Sequence, residues 1–360
     1  MSAGALPATS APATRRLRVG IIGLGIGRKH IEGWQEHPEV EVVAIADPDV
    51  HRLDTVGAEY GIAARYTSAE AMLAAGSLDV VSVCAPNKFH MAHTLAAFEA
   101  GAHVLCEKPM AMNAGEGRAM LAAARRAGKR LMINFSYRFS AASRGLKTQV
   151  DAGVFGEFYF GRSVWHRRRG LPGFGGWFGT KSLAGGGALI DLGVHRLDLA
   201  LWLMGYPTPT WVLGSTHDPI ARGLAARSGK PFDVEDLAAA LIRFDNGASL
   251  VLEASWAANI EQAELMETRL LGTKAGLLQE NLDEGYRFDA HIFTEHHGAQ
   301  LDIHLHPPAL PAHSAMHDYA TAILTGGDHP APGEEGLIVM EILDAIYESA
   351  RRGEPVRIAA

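Results

Sequence analysis

A glycine-rich turn near the start of the chain constrains the fold more than any other stretch. The β-branched run 17–22 leads into Gly23-Leu24-Gly25-Ile26-Gly27, and a helical pattern then extends to about residue 35. A strand, a glycine turn and a helix in this order bind phosphate in dinucleotide-binding domains, because the glycines let a pyrophosphate approach the positive end of the helix dipole. The spacing GxGxG is one residue shorter than the usual motif, a departure that concerns Gly27. We predict that a dinucleotide contacts Gly23, Gly25, Ile26 and Gly27.

An acidic residue follows the next predicted strand. The run 40–46 ends at Asp47, 22 residues after Gly25. A carboxylate at this point hydrogen-bonds the adenosine ribose hydroxyls of NAD and repels the 2′-phosphate of NADP. Since Pro48 rather than a basic residue comes next, we expect NAD as the cofactor, with NADP as the alternative. Asp47 could also cap the predicted helix 49–60, and the two roles are compatible.

Strands and helices continue to alternate up to residue 134. Apolar runs at 79–84, 103–106 and 130–134 have the composition of buried parallel strands. Six strands with intervening helices in about 120 residues predict an α/β Rossmann domain over 15–134. Such sheets bind their ligands at the carboxyl ends of the strands, where Glu107-Lys108-Pro109 lies.

A second glycine-rich stretch opens a helical pattern in the second half of the chain. Gly185-Gly186-Gly187 can approach a ligand closely, and the helix predicted after it is apolar on nearly every side. Asp191, His195 and Asp198 nevertheless share one face at spacings i, i+4 and i+7. Burying a carboxylate and an imidazole is costly unless they are paired or used, so the pattern indicates an acid–base site. The alternative is a hydrogen-bonded core pair that fixes the helix.

Composition and charge exclude several classes of protein. The 360 residues predict two domains, and a net charge of −7 argues against a nucleic-acid partner. The two cysteines and the absence of an 18-residue apolar run argue against a disulfide scaffold and a membrane span. Residues 1–14 are typical of a disordered tail rather than a signal peptide. We therefore expect a cytoplasmic protein.

Several of the 17 histidines occur in pairs. His304 and His306 share one face of a predicted strand, and His313 and His317 share a helical face. A metal site needs a third ligand, which the spacing does not supply, so we predict no functional metal site.

Three motifs together resemble the Gfo/Idh/MocA oxidoreductase family. Glu107-Lys108-Pro109 follows a Rossmann strand, the pattern GGGxxxDxGxH spans 185–195, and the C-terminal stretch 333–358 contains the run 337–350 within an amphipathic helix predicted over 333–351. The resemblance extends over 17–358. It implies a Rossmann domain followed by an α+β domain, 135–360, whose open, mainly antiparallel sheet binds substrate and packs against another subunit in a dimer or tetramer.

The resemblance also implies a reaction, the transfer of a hydride between NAD(P) and a hydroxyl carbon of a sugar, an inositol-like polyol or a sugar derivative. Lys108 would touch the nicotinamide ribose and the substrate hydroxyl. Asp191 would orient the substrate or the base, and His195 would accept the proton during alcohol oxidation. The Lys108–Pro109 bond resembles one that is often cis in the family. The cofactor cleft would also be lined by Ala85, Pro86, Asn87, His90 and Glu107.

These residue types suit the chemistry. A hydride leaves a carbinol carbon only as the hydroxyl proton departs, and histidine has a pKa close to neutrality, as a proton acceptor should. An ammonium group beside the oxygen stabilises developing alkoxide charge.

The loop 165–181 combines glycines, aromatic residues and cations just before the second glycine-rich stretch. Aromatic faces stack on sugar rings and arginines bind hydroxyls, carboxylates or phosphates. We predict substrate contacts from Arg168 and Trp177, and from Tyr137 where the chain crosses between domains. The alternatives are a subunit contact for the loop and hinge packing for Tyr137 and Arg138.

Other functions stay open beside the NAD-dependent sugar or polyol dehydrogenase. An NADP-linked sugar reductase and an NAD-dependent glycosidase-like enzyme would use the same fold. An NAD(P)-sensing regulatory protein would not need Lys108, Asp191 and His195 together, so an enzyme is favoured.

Overall fold

The computed structural model describes residues 15–306 and 313–358. The predicted disordered tail, 1–14, lies outside the described residues. Within them, the first sheet has six parallel strands in the order β3-β2-β1-β4-β5-β6. Its strands are β1 Leu17–Ile22, β2 Val40–Ala46, β3 Ala64–Tyr66, β4 Val80–Val83, β5 His103–Cys106 and β6 Leu131–Ile133.

The helices around this sheet follow from local sequence signals. Asn113 caps the longest of them, and Gly128 ends it in a left-handed conformation. The helices are α1 Gly27–Gln35, α2 Val50–Glu59, α3 Ala69–Ala75, α4 His90–Glu99 and α5 Ala114–Ala127. The Rossmann prediction is confirmed.

Within the described residues, a second sheet has nine strands in the order β14-β13-β12-β11-β7-β10-β9-β8-β15. Its pairs are antiparallel except β7 with β10. The strands are β7 Phe158–Arg167, β8 Pro209–His217, β9 Leu237–Phe244, β10 Ser249–Ser255, β11 Glu264–Gly272, β12 Ala275–Leu282, β13 Arg287–His296, β14 Ala299–His304 and β15 Val356–Arg357. This open, mainly antiparallel sheet confirms the predicted fold class.

Helices of the second half of the chain tie the two sheets together. Helix α10 packs on α1, and α11 packs on both α5 and β8. These helices are α6 Ala141–Asp151, α7 Lys181–Ala184, α8 Val194–Met204, α9 Pro219–Ser228, α10 Ala315–Thr325 and α11 Gly333–Arg352. The last two therefore contact the Rossmann domain, although they follow the second sheet's longer strands in the chain. Among the described helices, none combines the length and apolarity that crossing a membrane would require.

Candidate active site

A cavity of about 1280 Å³ is lined by residues from both parts of the chain. The carboxyl ends of β1, β2, β4 and β5 contribute one wall, as doubly wound sheets do at their ligand sites. Side chains between Tyr137 and His195, together with Tyr286, contribute the opposite wall. The two walls bring the predicted cofactor residues together with the predicted acid–base residues.

The glycine turn faces this cavity. Gly23 has φ +86° and lies so close to β4 that a Cβ there would approach the Cys84 carbonyl oxygen to 2.6 Å. Gly25 has open space beside it, and the half-exposed Ile26 lines the cavity. Gly27 instead packs on Ile21 and begins α1. Gly23 therefore allows close approach to the Cys84 backbone, Gly25 leaves open space at the cavity, and Gly27 serves helix packing.

Asp47 is buried at the end of β2 and lines the cavity. Its carboxylate accepts hydrogen bonds from the backbone N–H groups of Leu24, at 2.8 Å, and Asp49, at 2.9 Å. Asp49 rather than Asp47 caps α2, by accepting a bond from the Arg52 N–H. The Arg52 guanidinium lies 3.2 Å from the Asp47 carboxylate. The sequence reasoning missed this cation, because it stands one helical turn beyond Pro48.

Ala85, Pro86 and Asn87 line the cavity, and Asn87 donates a hydrogen bond across to the Ala184 carbonyl at 2.8 Å. The ring of His90 lies between two carbonyl oxygens, of Pro109 at 2.7 Å and Ala85 at 2.8 Å. Burial lowers the pKa of His90, and a neutral ring donates to only one of these carbonyls. His90 thus joins two loops of the cleft wall.

Glu107 is fixed by a buried network. Its carboxylate accepts hydrogen bonds from His30 Nε2 at 2.7 Å and Asn134 Nδ2 at 2.6 Å. Burial alone would raise the pKa of Glu107, but these bonds outweigh it and lower the pKa. The peptide after Glu107 leads to a cis bond between Lys108 and Pro109, as the family resemblance implies.

Lys108 reaches from the Rossmann wall to Asp191 on the opposite wall. Its Nζ donates to the Asp191 Oδ1 and to the Asp191 carbonyl, both at 2.9 Å. Trp256 Nε1 donates to the other carboxylate oxygen, also at 2.9 Å. Burial would raise the pKa of Asp191, but Lys108, together with Trp256 and Arg167, outweighs burial and lowers it. The carboxylate therefore stays charged and holds Lys108 at the cavity.

His195 lies in the same cavity without a bond to Asp191. Its ring packs against Tyr137, with centroids 4.8 Å apart, and against Trp165 at 5.7 Å. Its Nδ1 is buried without a hydrogen-bond partner among the described residues. Burial, followed by the positive charges of Lys108 and Arg196, holds the pKa of His195 well below its usual value. The imidazole is therefore neutral at pH 7 and can accept a proton.

A turn of π-helix, Leu189–Gly193, precedes α8, where the sequence predicts regular helical spacing. Glu235 anchors it by accepting bonds at 2.9 Å from the Gly187 and Leu189 N–H groups and the Tyr347 hydroxyl. A Cβ at Gly187 would lie 1.9 Å from the Glu235 carbonyl oxygen. Of the three glycines only Gly185 has positive φ, +87°. Gly187 therefore approaches protein rather than the ligand that the sequence analysis expects.

Asp198 does not belong to the acid–base site. It is buried and bonded to Arg138, whose Nη2 and Nε lie 2.5 and 2.9 Å from its carboxylate oxygens. Asp198 follows His195 by three residues in α8, but it bonds to Arg138 and Tyr206 and does not line the cavity. Arg138 takes the hinge-packing role, since it also donates to Glu335 on α11.

The predicted substrate contacts divide into two groups. Tyr137 and Trp177 line the cavity, but Arg168 does not, because its exposed side chain points to the Glu261 carbonyl. Arg167 lines the cavity instead. Residues two apart on a strand share a face, so Arg167 follows Trp165 into the cleft and Arg168 points away. The two-residue periodicity of β7 therefore predicts from the sequence that Arg167, and not Arg168, faces the cavity.

No local sequence pattern identifies the other residues that surround Asp191 and His195. Glu235 and Trp256 come from outside the motifs and reach Asp191 or its turn only through the folded sheet. Arg196 is fully buried under Tyr137, Trp165 and Phe288, and burial lowers its pKa to about 10. Its charge helps to keep His195 neutral.

Known proteins resemble the chain along nearly its whole length. Residues 17–135 match an oxidoreductase family with an NAD-binding Rossmann fold, and residues 143–278 match the GFO/IDH/MocA C-terminal domain. The D-glucoside 3-dehydrogenase of Escherichia coli K12 is 35% identical over 97% of this chain and 99% of its own. A D-apiose dehydrogenase of Paraburkholderia graminis is 27% identical over 96% of this chain and 90% of its own.

A solved structure has the same architecture. The aldose–aldose oxidoreductase of Caulobacter crescentus, complexed with glycerol, superposes with a TM-score of 0.81 at 28% identity, over 95% of this chain and all of its own. The two matching domains and the long alignments confirm both the predicted family and the predicted NAD-linked enzyme class. The chain belongs to the Gfo/Idh/MocA family and is an NAD(P)-dependent oxidoreductase.

Proposed function

We propose that the protein oxidises a secondary ring hydroxyl of a sugar or polyol, most specifically of a D-glucopyranoside, with NAD as hydride acceptor. The observation that carries this proposal is the convergence of Lys108, Asp191 and His195 on one cavity that the glycine turn also faces. The substrate class extends the activity named for the E. coli relative to this chain.

Each of the three side chains has a task in this reaction. Neutral His195 accepts the hydroxyl proton, and its lowered pKa keeps it unprotonated at pH 7. The ammonium of Lys108 stabilises negative charge that develops on the same oxygen. Asp191 holds Lys108 beside the substrate through their 2.9 Å ion pair. Bound NAD supplies the hydride acceptor.

The wall opposite the cofactor suits a sugar ring. Trp177 and Phe178 line it and stack on one another with centroids 3.8 Å apart, so an aromatic surface faces the cavity. Arg167 adds a guanidinium that can donate to ring hydroxyls. An apolar face combined with directed donors matches the alternating C–H and O–H surfaces of a pyranose.

The charges around Asp47 support NAD rather than NADP. Asp47 and Asp49 place two carboxylates against the single guanidinium of Arg52. The remaining negative charge disfavours a 2′-phosphate at this edge of the cavity. The predicted assembly and location complete the proposal: a homo-oligomer formed through the open face of the second sheet, in the cytoplasm, where the buried free thiols of Cys84 and Cys106 suit a reducing compartment.

The test of this function is absorbance at 340 nm with purified protein, NAD or NADP, and a panel of substrates. The panel contains methyl D-glucopyranosides, their 2-deoxy and 3-deoxy analogues, free aldoses, inositol and sugar acids. We expect NADH from the parent and 2-deoxy glucosides and none from the 3-deoxy analogue. If no substrate of the panel yields NADH or NADPH while cofactor binding is retained, the sensor or the glycosidase-like enzyme would be favoured. Oxidation of inositol or a sugar acid alone would replace the glucoside assignment.

A substitution at Asp47 tests the preference for NAD over NADP. Asp47→Asn removes the charge and keeps one acceptor oxygen, which can serve either the Leu24 or the Asp49 N–H group. We expect NAD to bind about tenfold more weakly, roughly 1.4 kcal/mol, and NADP to be unaffected or improved. Equal weakening of both cofactors in fluorescence titrations would remove Asp47 from the ribose site.

A further inference from the structure

A cluster of imidazole and carboxylate groups lies on strands β12, β13 and β14, at one edge of the second sheet. Glu280 on β12 pairs with Asp289 on β13, and His291 on β13 pairs with His304 on β14. Asp289 and His291 are two residues apart on their strand, so their side chains leave the same face of the sheet. The sheet register therefore assembles groups that are distant in the sequence.

Their ligand atoms are close enough to share one ion. One oxygen of Asp289, one ring nitrogen of His291 and one of His304 all lie within 4.8 Å of each other. His291 Nε2 is 3.5 Å from Asp289 Oδ2 and 3.7 Å from Glu280 Oε1, and His304 Nε2 contacts Asp289 Oδ1. The rings of His291 and His304 stack 5.0 Å apart at 18°. The ring of His306 lies 4.5 Å from that of His304.

We propose that Asp289, His291 and His304 bind a divalent transition-metal ion of the zinc class, with Glu280 or water as fourth ligand. In tetrahedral zinc sites bond lengths of about 2.0–2.2 Å separate the ligand atoms by roughly 3.3 Å. The 3.5 and 3.7 Å separations reach this value through small side-chain rotations. Two imidazoles with a carboxylate select zinc, nickel or copper over magnesium and calcium, which prefer oxygen ligands alone.

The site is separate from the oxidoreductase chemistry. None of its three ligands lines the cavity that contains His195. Ligands from two neighbouring strands, with Glu280 on a third, would fasten the β13–β14 hairpin to the rest of the sheet. Spacing along the chain predicts no metal site here, because His304 and His306 alone lack a third ligand. Cross-strand pairing supplies Asp289 and His291, which no spacing along the chain reveals.

The experiment uses full-length protein with its affinity tag removed, dialysed against EDTA and then titrated with zinc by calorimetry. We expect one zinc per chain and a higher melting temperature with zinc. His304→Ala should weaken zinc binding at least 100-fold and abolish the thermal shift, as should Asp289→Asn. The matched control is His296→Ala, since His296 is an exposed histidine of the same hairpin outside the cluster.

The result that overturns the proposal is an absence of stoichiometric binding in the wild type, or equal binding by His304→Ala and His296→Ala. In that case His304 and Asp289 form only a surface ion pair. Circular dichroism of both exposed variants establishes that they are folded before titration. Turnover should be the same with EDTA and with stoichiometric zinc, because the site lies outside the cavity.

Discussion

Two ion pairs, seven residues apart along the same helical segment, have very different surroundings. Asp191 pairs with Lys108 in the cleft, where the side chains are 17% and 15% exposed. Asp198 pairs with Arg138 in the core, where both side chains are 1% exposed. Burial would raise the pKa of Asp191, but Lys108, Trp256 and Arg167 together lower it. At Asp198 burial outweighs Arg138 and Tyr206, so the pKa is raised. One aspartate–cation pair therefore lies at the cavity, where we propose a role in the reaction, and the other lies in the core, where it packs α8.

The local backbone accounts for the difference. The π turn that carries Asp191 is fastened by Glu235 through backbone N–H groups, so the turn can present its side chain to the cavity. Asp198 lies within regular α8 and is closed in by Tyr206, whose hydroxyl donates to it at 2.6 Å. One pair can exchange a partner for a substrate hydroxyl, and the other has no access to substrate.

Breaking the cleft pair should have the largest effect. Lys108→Met removes the ammonium but keeps an unbranched side chain, so we expect kcat to fall by about 10²- to 10⁴-fold. The melting temperature should change little because the pair is partly hydrated. Steady-state NADH formation and a thermal scan check this together. A variant with near-normal kcat would place the chemistry elsewhere.

Breaking the core pair should change stability instead. Arg138→Met leaves Asp198 buried with only the Tyr206 hydroxyl, which should cost about 3–5 kcal/mol of unfolding free energy. Urea denaturation measures this loss. The remaining folded protein should turn over at close to the wild-type rate. Unchanged stability would mean that the core pair contributes no more than an apolar contact.

Two adjacent arginines allow a direct comparison between a residue that lines the cavity and a residue outside it. Arg167→Met should raise KM for the substrate about tenfold, or roughly 1.4 kcal/mol, because Arg167 faces the cavity. Arg168→Met is the matched control, since Arg168 is exposed outside it. Equal KM changes in the two variants would mean that Arg167 does not contact the substrate in the cavity.

The smallest expected effect is in the pH profile. Burial and Lys108 lower the pKa of His195, so the proton acceptor is already unprotonated at neutral pH. For alcohol oxidation, kcat/KM should be flat between about pH 6.5 and 8 and should fall only in more acidic solution. An acid limb centred at or above pH 6.5 would mean that the cleft does not depress this pKa.

Much of the fold is predictable because local patterns determine it. Buried runs such as 80–83 specify the parallel sheet, and Asn113 and Gly128 mark the ends of α5. The edge strand Ala64–Tyr66 was not located, since three residues carry no periodic pattern. The six-strand total is confirmed all the same.

The motif residues of the candidate site were predictable from the sequence, but the residues that hydrogen-bond to them and hold them in place were not. Lys108, Asp191 and His195 were identified from spacing and resemblance, and their roles stay predictions. The partners of these residues come from distant strands, as Trp256 does for Asp191, and only the folded sheet brings them together. The division of Asp191 from Asp198 depends on a π turn that helical spacing does not reveal.

We propose that His195 accepts the substrate proton in the cleft. The most direct test of this proposal is the single-turnover rate of NADH formation by His195→Asn with saturating NAD and a methyl D-glucopyranoside. We expect this rate to be about 10²- to 10⁴-fold below that of the wild type, with unchanged NADH affinity. A rate equal to that of the wild type would contradict the assignment of His195 as the base.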